Sequence, residues 1–121
     1  MMNFQARVNA WIIACFGSII SYDKVERNHR FLEEALELAQ ACDCTKSEAM
    51  QLVDYVFSRP TGAKYQKVGG VMVTLAALCT AHDLEMHDAG NDEVNRVWHK
   101  IDEIKAKQAV KPKHSPLPGN S

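Results

Sequence analysis

Glu34 and Glu37 bracket Ala35 and Leu36 in an ExxE pattern. On a helix, positions three apart project in nearly the same direction, so two such carboxylates can share one hard cation. Magnesium favours carboxylate and water oxygens, commonly takes only one or two carboxylates from a protein, and completes its shell with substrate phosphates. The pattern suits a nucleotide–metal site with Glu34 and Glu37 as ligands and Mg2+ or Mn2+ as the cation. The competing reading is a solvated acidic face on which Arg30, four residues before Glu34, is an ordinary surface partner.

Other chemistry-bearing residues are more scattered. Asp54 falls at the edge of an apolar arc with Met50, Val53 and Phe57. An acid there is partly desolvated unless paired, which makes it the candidate third ligand, or else an edge carboxylate held by Arg59 or a lysine. Glu33 reads as a solvated neighbour. None of His29, His82, His87, His99 and His114 stands at metal-ligand spacing from a cysteine. His82 reads as a packed or capping residue at a helix end. Cys42 and Cys44 form CxC rather than CxxC, and with Cys15 and Cys79 they read as reduced thiols, two or three of them in the core. Gly69-Gly70 fits no phosphate-loop spacing.

The elements that must position these residues are helical throughout, because no window sustains the apolar/polar alternation of a half-buried strand. Five segments are expected: Asn3 to Phe16, Asp23 to Ala41, Thr45 to just before Pro60, Tyr65 to His82, and one opening at Asn91 and ending near Lys107. Thr45-Lys46-Ser47-Glu48 is a capping box. The second segment divides in two, with Val25, Phe31, Leu32 and Leu36 on an apolar arc opposite Glu26, Arg30, Glu33, Glu34 and Glu37. The fourth carries no charge after Lys67 and has a second face of small residues, which predicts a central helix packed on two sides. Trp11 and Trp98 are expected in the core or at an interface. The expectation is an all-α bundle of four to five helices over residues 1–107, followed by a flexible tail over 108–121 that reads KPKHSPLPGNS from Lys111.

Arg30 to Ala41 (RFLEEALELAQA), followed by Val68 to Met86 (VGGVMVTLAALCTAHDLEM), resembles the MazG-like branch of the all-α NTP pyrophosphohydrolases over about residues 23–107. The resemblance implies a metal-dependent cleavage of a nucleoside triphosphate to the monophosphate and pyrophosphate, in a homodimer or homotetramer. It implies metal and catalytic roles for Glu34 and Glu37, which match the family's first acidic pair. The second pair, ExxD, does not match: Lys67 stands where the family has Glu, and Gly70 where it has Asp. Lys67 then reads either as a cation facing a polyphosphate, with Arg30 as a second phosphate contact, or as a solvated residue at a helix start.

Composition narrows the alternatives. A 121-residue chain with 46% hydrophobic and 24% charged residues suits one globular domain with one core. Its 14 basic and 15 acidic residues give a formal net charge of −1, so it lacks the broad positive footprint of a nucleic-acid binder. The longest apolar run, Trp11 to Ile20, is half of the ~20 residues a membrane span needs, and no basic region precedes it as in a signal peptide. A cytosolic location follows as an expectation. Three functions remain open: a metal-dependent pyrophosphohydrolase, a non-catalytic nucleotide binder or sequesterer, and a helical interaction module.

Overall fold

Asn3 starts the first helix by accepting the Ala6 N–H on its side chain at 2.9 Å, and Gly17 ends it at φ 86°, in the region that favours glycine. The computed structural model describes residues 2–111, which form seven helices and no strand. These are α1 (Phe4–Phe16), α2 (Ser18–Ser21), α3 (Lys24–Ala41), α4 (Lys46–Phe57), α5 (Lys64–Ala81), α6 (Met86–Trp98) and α7 (Ile101–Val110). The all-α expectation holds. The short α2 is additional, a single turn between Gly17 and Tyr22.

Two of the corners share one design. At the end of α3 the Cys44 N–H reaches the Ala39 carbonyl and the Asp43 N–H reaches Gln40, with Asp43 at φ 70°. At the end of α5 the Leu84 N–H reaches Cys79 and the Asp83 N–H reaches Thr80, with Asp83 at φ 57°. Both are Schellman closures, which satisfy carbonyls that a helix end leaves open. Each has aspartate where glycine is usual. A cap follows at once. Thr45 and Glu48 form the reciprocal capping box expected before α4, and the Glu85 side chain accepts the Asp88 N–H at 2.6 Å before α6.

This second corner corrects the expected fifth segment. Its helix begins at Met86 rather than Asn91, because Glu85 supplies the cap, and Asn91 instead accepts a hydrogen bond from Arg7 at 2.6 Å. The helix also breaks at His99 and Lys100, so that α7 is separate. Ordered structure runs past Lys107: α7 continues to Val110, and both Gln108 and Lys111 make side-chain contacts. The rest of the expected tail, residues 112–121, lies outside the described residues.

The described chain divides into two compact units. The first comprises residues 2–34 and 90–111. There α1 packs against α2 and α7, and Cys15, Val94 and Val97 are buried. Trp11 is half-buried and donates its indole N–H to the Val97 carbonyl at 3.2 Å, while its ring meets Phe16 edge-on. Trp98, by contrast, is exposed. Within this unit α3 presents its polar side inward. Glu26 is 3% exposed, ion-paired with Arg30 at 3.4 Å and Arg27 at 3.9 Å, and hydrogen-bonded by Gln108. Val25, Phe31 and Leu32, on the apolar arc, stand exposed. The reason is the polar edge of α7: Gln108, and Lys111 just beyond it, give Glu26 and Glu33 partners that no apolar side chain of α3 could use.

The second unit comprises residues 35–89, and none of its residues is buried. Within this unit α5 is therefore not packed on two sides, contrary to expectation. Cys42, Cys44 and Cys79 are only half-buried, which leaves Cys15 as the one core thiol among the four.

Candidate functional site

Glu34 and Glu37 lie three apart on α3, as expected, and both are exposed. Their surroundings differ, because the division between units falls between Glu34 and Ala35.

In the first unit, Glu34 belongs to a charged surface. Arg30 Nη1 donates to Glu33 Oε1 at 3.1 Å, and Lys111 Nζ approaches the same oxygen at 3.1 Å. Glu33 is therefore half-buried and doubly paired, not the solvated neighbour expected. Arg30 is largely covered and engages Glu26 as well as Glu33, which makes it an organiser of the α3 surface. Arg96 adds a cation that the sequence reading missed. Its guanidinium grips Glu93 through two bonds, at 2.8 and 2.6 Å. That contact raises its pKa further above the usual arginine value, and smaller attractions from Glu103 and then Glu34 add to it. The available signal was the i, i+3 spacing of Glu93 and Arg96 on one helix; nothing in the sequence connected them to Glu34.

In the second unit, Glu37 opens onto a solvent-facing hollow of about 310 Å3 at the α3–α4 corner, together with Leu36, Gln40, Cys44, Thr45 and Lys46. That volume is at the low end for small-molecule sites. Lys46 is the second residue missed. Its position directly after the Thr45 cap could have placed it, since a tight corner returns the first residue of α4 toward the last turns of α3.

The remaining candidates are dispersed over the second unit. Asp54 is exposed rather than partly desolvated, and Arg59 stacks over the Tyr55 ring at 4.8 Å. Lys67 is exposed in the first turn of α5, and its aliphatic stem lies so close to Gly62 that a Cβ there would meet Lys67 Cε at 2.6 Å. His82 is the exposed C-cap of α5, a capping rather than a packed histidine. Cys44 makes only a weak contact to the Thr45 carbonyl at 3.5 Å. Burial pushes the Cys15 thiol up, which lowers its thiolate fraction and its reactivity.

Among the described residues no group of three or more His, Cys, Asp or Glu side chains is arranged to hold a metal ion. Glu34 and Glu37 are carboxylates three apart on α3, hard oxygens of the kind magnesium uses when water and phosphate complete its shell. No described helix is long and apolar enough to cross a membrane. No protein-family model, curated protein or solved structure matches the chain.

Proposed function

We propose that the protein binds a nucleoside triphosphate at the acidic turn of α3 and, with water, cleaves it to the monophosphate and pyrophosphate, in an assembly of two or four copies. The observation that carries this reading is the exposed pair Glu34 and Glu37, with Glu37 facing an open hollow that also has Lys46 on its rim. Glu34 and Glu37 are the residues that would hold Mg2+ or Mn2+. Such an ion, when bound, offsets phosphate charge and lowers the pKa of a coordinated water. Arg30 acts by positioning, because its contacts to Glu26 and Glu33 fix the turn of α3 that presents Glu34. Lys46 and Lys67, two of the cations of the second unit, are on this reading available to phosphate oxygens as point charges.

A second reading is favoured by Lys67 and Gly70, which stand where the resembling family carries its second acidic pair: the protein binds a nucleotide without cleaving it. One experiment separates the two. The purified chain is incubated with Mg2+ and a panel of canonical, modified and cyclic nucleotides, and both the solution and the ligand released on denaturation are analysed by mass spectrometry. Monophosphate with pyrophosphate is expected. Glu34→Ala and Glu37→Ala should each abolish that turnover while leaving the melting temperature unchanged, since both side chains are exposed. Turnover surviving in both variants would sink the enzyme reading. Intact nucleotide recovered only from the protein, and weakened by Lys67→Glu, establishes the binder. No ligand-induced rise in melting temperature with any nucleotide leaves the interaction module.

A further inference from the structure

The charges of the second unit are segregated along the chain. Residues 35–89 carry seven acids and four lysines or arginines, yet no acid falls between Asp54 and Asp83, where three of the four cations, Arg59, Lys64 and Lys67, stand. The formal net charge of −1 conceals this: it excludes a broad basic footprint, not a local one at the corner between α4 and α5. Every residue from Gln51 to Gly69 is exposed. Phe57, the last residue of α4, is 85% exposed, and Tyr65, in the first turn of α5, is 95% exposed. Two contacts gather the cations at this corner. The Arg59 guanidinium lies over the Tyr55 ring, 4.8 Å from its centroid. The Lys67 stem folds back against Gly62, where a Cβ would meet its Cε at 2.6 Å, which holds Lys67 beside the connection that bears Arg59. Among the described residues no acidic side chain pairs with Arg59, Lys64 or Lys67.

We propose that the α4–α5 corner binds a single-stranded polynucleotide, with Phe57, Tyr65 and the Arg59–Tyr55 stack as platforms for bases and Arg59, Lys64 and Lys67 as contacts to phosphates. A single strand offers unpaired bases with open faces and a phosphate at every nucleotide. The corner presents the complement of both: aromatic rings on which bases stack, beside cations that follow the backbone. A guanidinium plane is itself a surface on which an unstacked base can lie. A duplex fits less well, because its bases are already stacked and paired, and three cations are too few to hold it by charge alone. An anionic membrane also fits less well. The connecting residues from Ser58 to Lys64 include no bulky apolar side chain to enter it, and they carry two charges. The inference stands whether or not α3 binds a nucleoside triphosphate.

The test is fluorescence anisotropy of labelled single strands of about 12 nucleotides, one RNA and one DNA, titrated with the purified full chain at about 50 and 200 mM salt. Saturable binding of either strand supports the inference. It should weaken by about 20-fold at the higher salt, the loss expected when three phosphates of a single strand are neutralised. Phe57→Ala and Tyr65→Ala should each weaken binding by at least about fivefold and leave its salt dependence unchanged, because stacking a base releases no counterion. Arg59→Gln should weaken it and also reduce the salt dependence by about a third. All three side chains are exposed, so each variant should melt close to the wild type. No saturable binding at the lower salt, equal affinity for a duplex of the same sequence, or single-strand binding that survives all three substitutions overturns the inference. Chain that sediments with phosphatidylserine vesicles but binds no single strand overturns it as well and assigns the corner to a membrane surface.

Discussion

The two units differ in where their stabilising contacts come from. In the first, residues far apart in sequence hold one another: Trp11 with Val97, Arg7 with Asn91, Glu26 with Gln108, Glu33 with Lys111. In the second, the hydrogen bonds are local, made by caps, Schellman turns and helix ladders, and no side chain is buried. Local bonds specify helices but do not make short helices stable in water, where most helical stability comes from packing an apolar face. The first unit has the long-range contacts of a domain that closes on itself. The second has well-formed helices whose faces remain open.

The largest effect that sharpens this contrast is expected at Glu26. Its removal takes the buried counter-charge from Arg27 and Arg30, although Arg30 keeps Glu33, and breaking such a pair costs up to about 3 kcal/mol. Glu26→Ala should lower the urea midpoint of unfolding by a correspondingly large amount at every protein concentration. A substitution in the second unit should instead cost more as the protein is diluted. A loss at Glu26 that also grew on dilution would remove the distinction between the units.

Next comes a matched pair of hydrogen-bond deletions. Trp11→Phe keeps an aromatic ring but removes the indole donor to the Val97 carbonyl, which retains only the Lys100 N–H, at a cost of about 1 kcal/mol. Thr45→Ala opens the capping box of α4 at a similar cost of about 1 kcal/mol. If the second unit forms the interface of the proposed assembly, Thr45→Ala weakens association, measured by sedimentation over a dilution series, and Trp11→Phe does not. Equal effects on association from both would break the comparison.

The same contrast decides what the sequence could disclose. The Thr45–Glu48 box was legible because its four residues carry the whole interaction, and the helical periods were legible because they too are local. The start of α6 was misplaced because Asn91 and Glu85 are both credible first-turn signals, and only the contact from Arg7 to Asn91 distinguishes them. The inward side of α3 was unreadable for a deeper reason. Amphipathicity tells which arc avoids water when nothing else competes, but Gln108 and Lys111, over seventy residues away, supply polar partners that draw the charged arc inward. Glu34 and Glu37 were readable from spacing alone as neighbours on one helix. Lys46 and Arg96 were not, since a corner hollow and a charged surface between helices exist only once the chain has turned.

The smallest effect concerns acid. The Glu48 carboxyl is held below the usual carboxylate range by hydrogen bonds from the Thr45 backbone N–H and the Thr45 hydroxyl, and Glu85 is lowered by the backbone N–H groups of Asp88 and His87. In the first unit, Glu93 is lowered chiefly by its hydrogen bonds from Arg96. A carboxyl whose folded-state pKa is depressed contributes stability that is present above its unfolded value, near 4.3 for glutamate, and is lost as pH falls through the folded value. Acidification below about pH 4 should therefore weaken both units, the second through two caps and the first through one surface pair. Glu48→Gln combined with Glu85→Gln should flatten the acid limb of a melting-temperature profile more than Glu93→Gln does, because the capping carboxylates satisfy backbone N–H groups at helix ends where no residue of the second unit is buried. An acid limb governed by Glu93 alone would mean that the caps of α4 and α6 add little to the stability of the second unit.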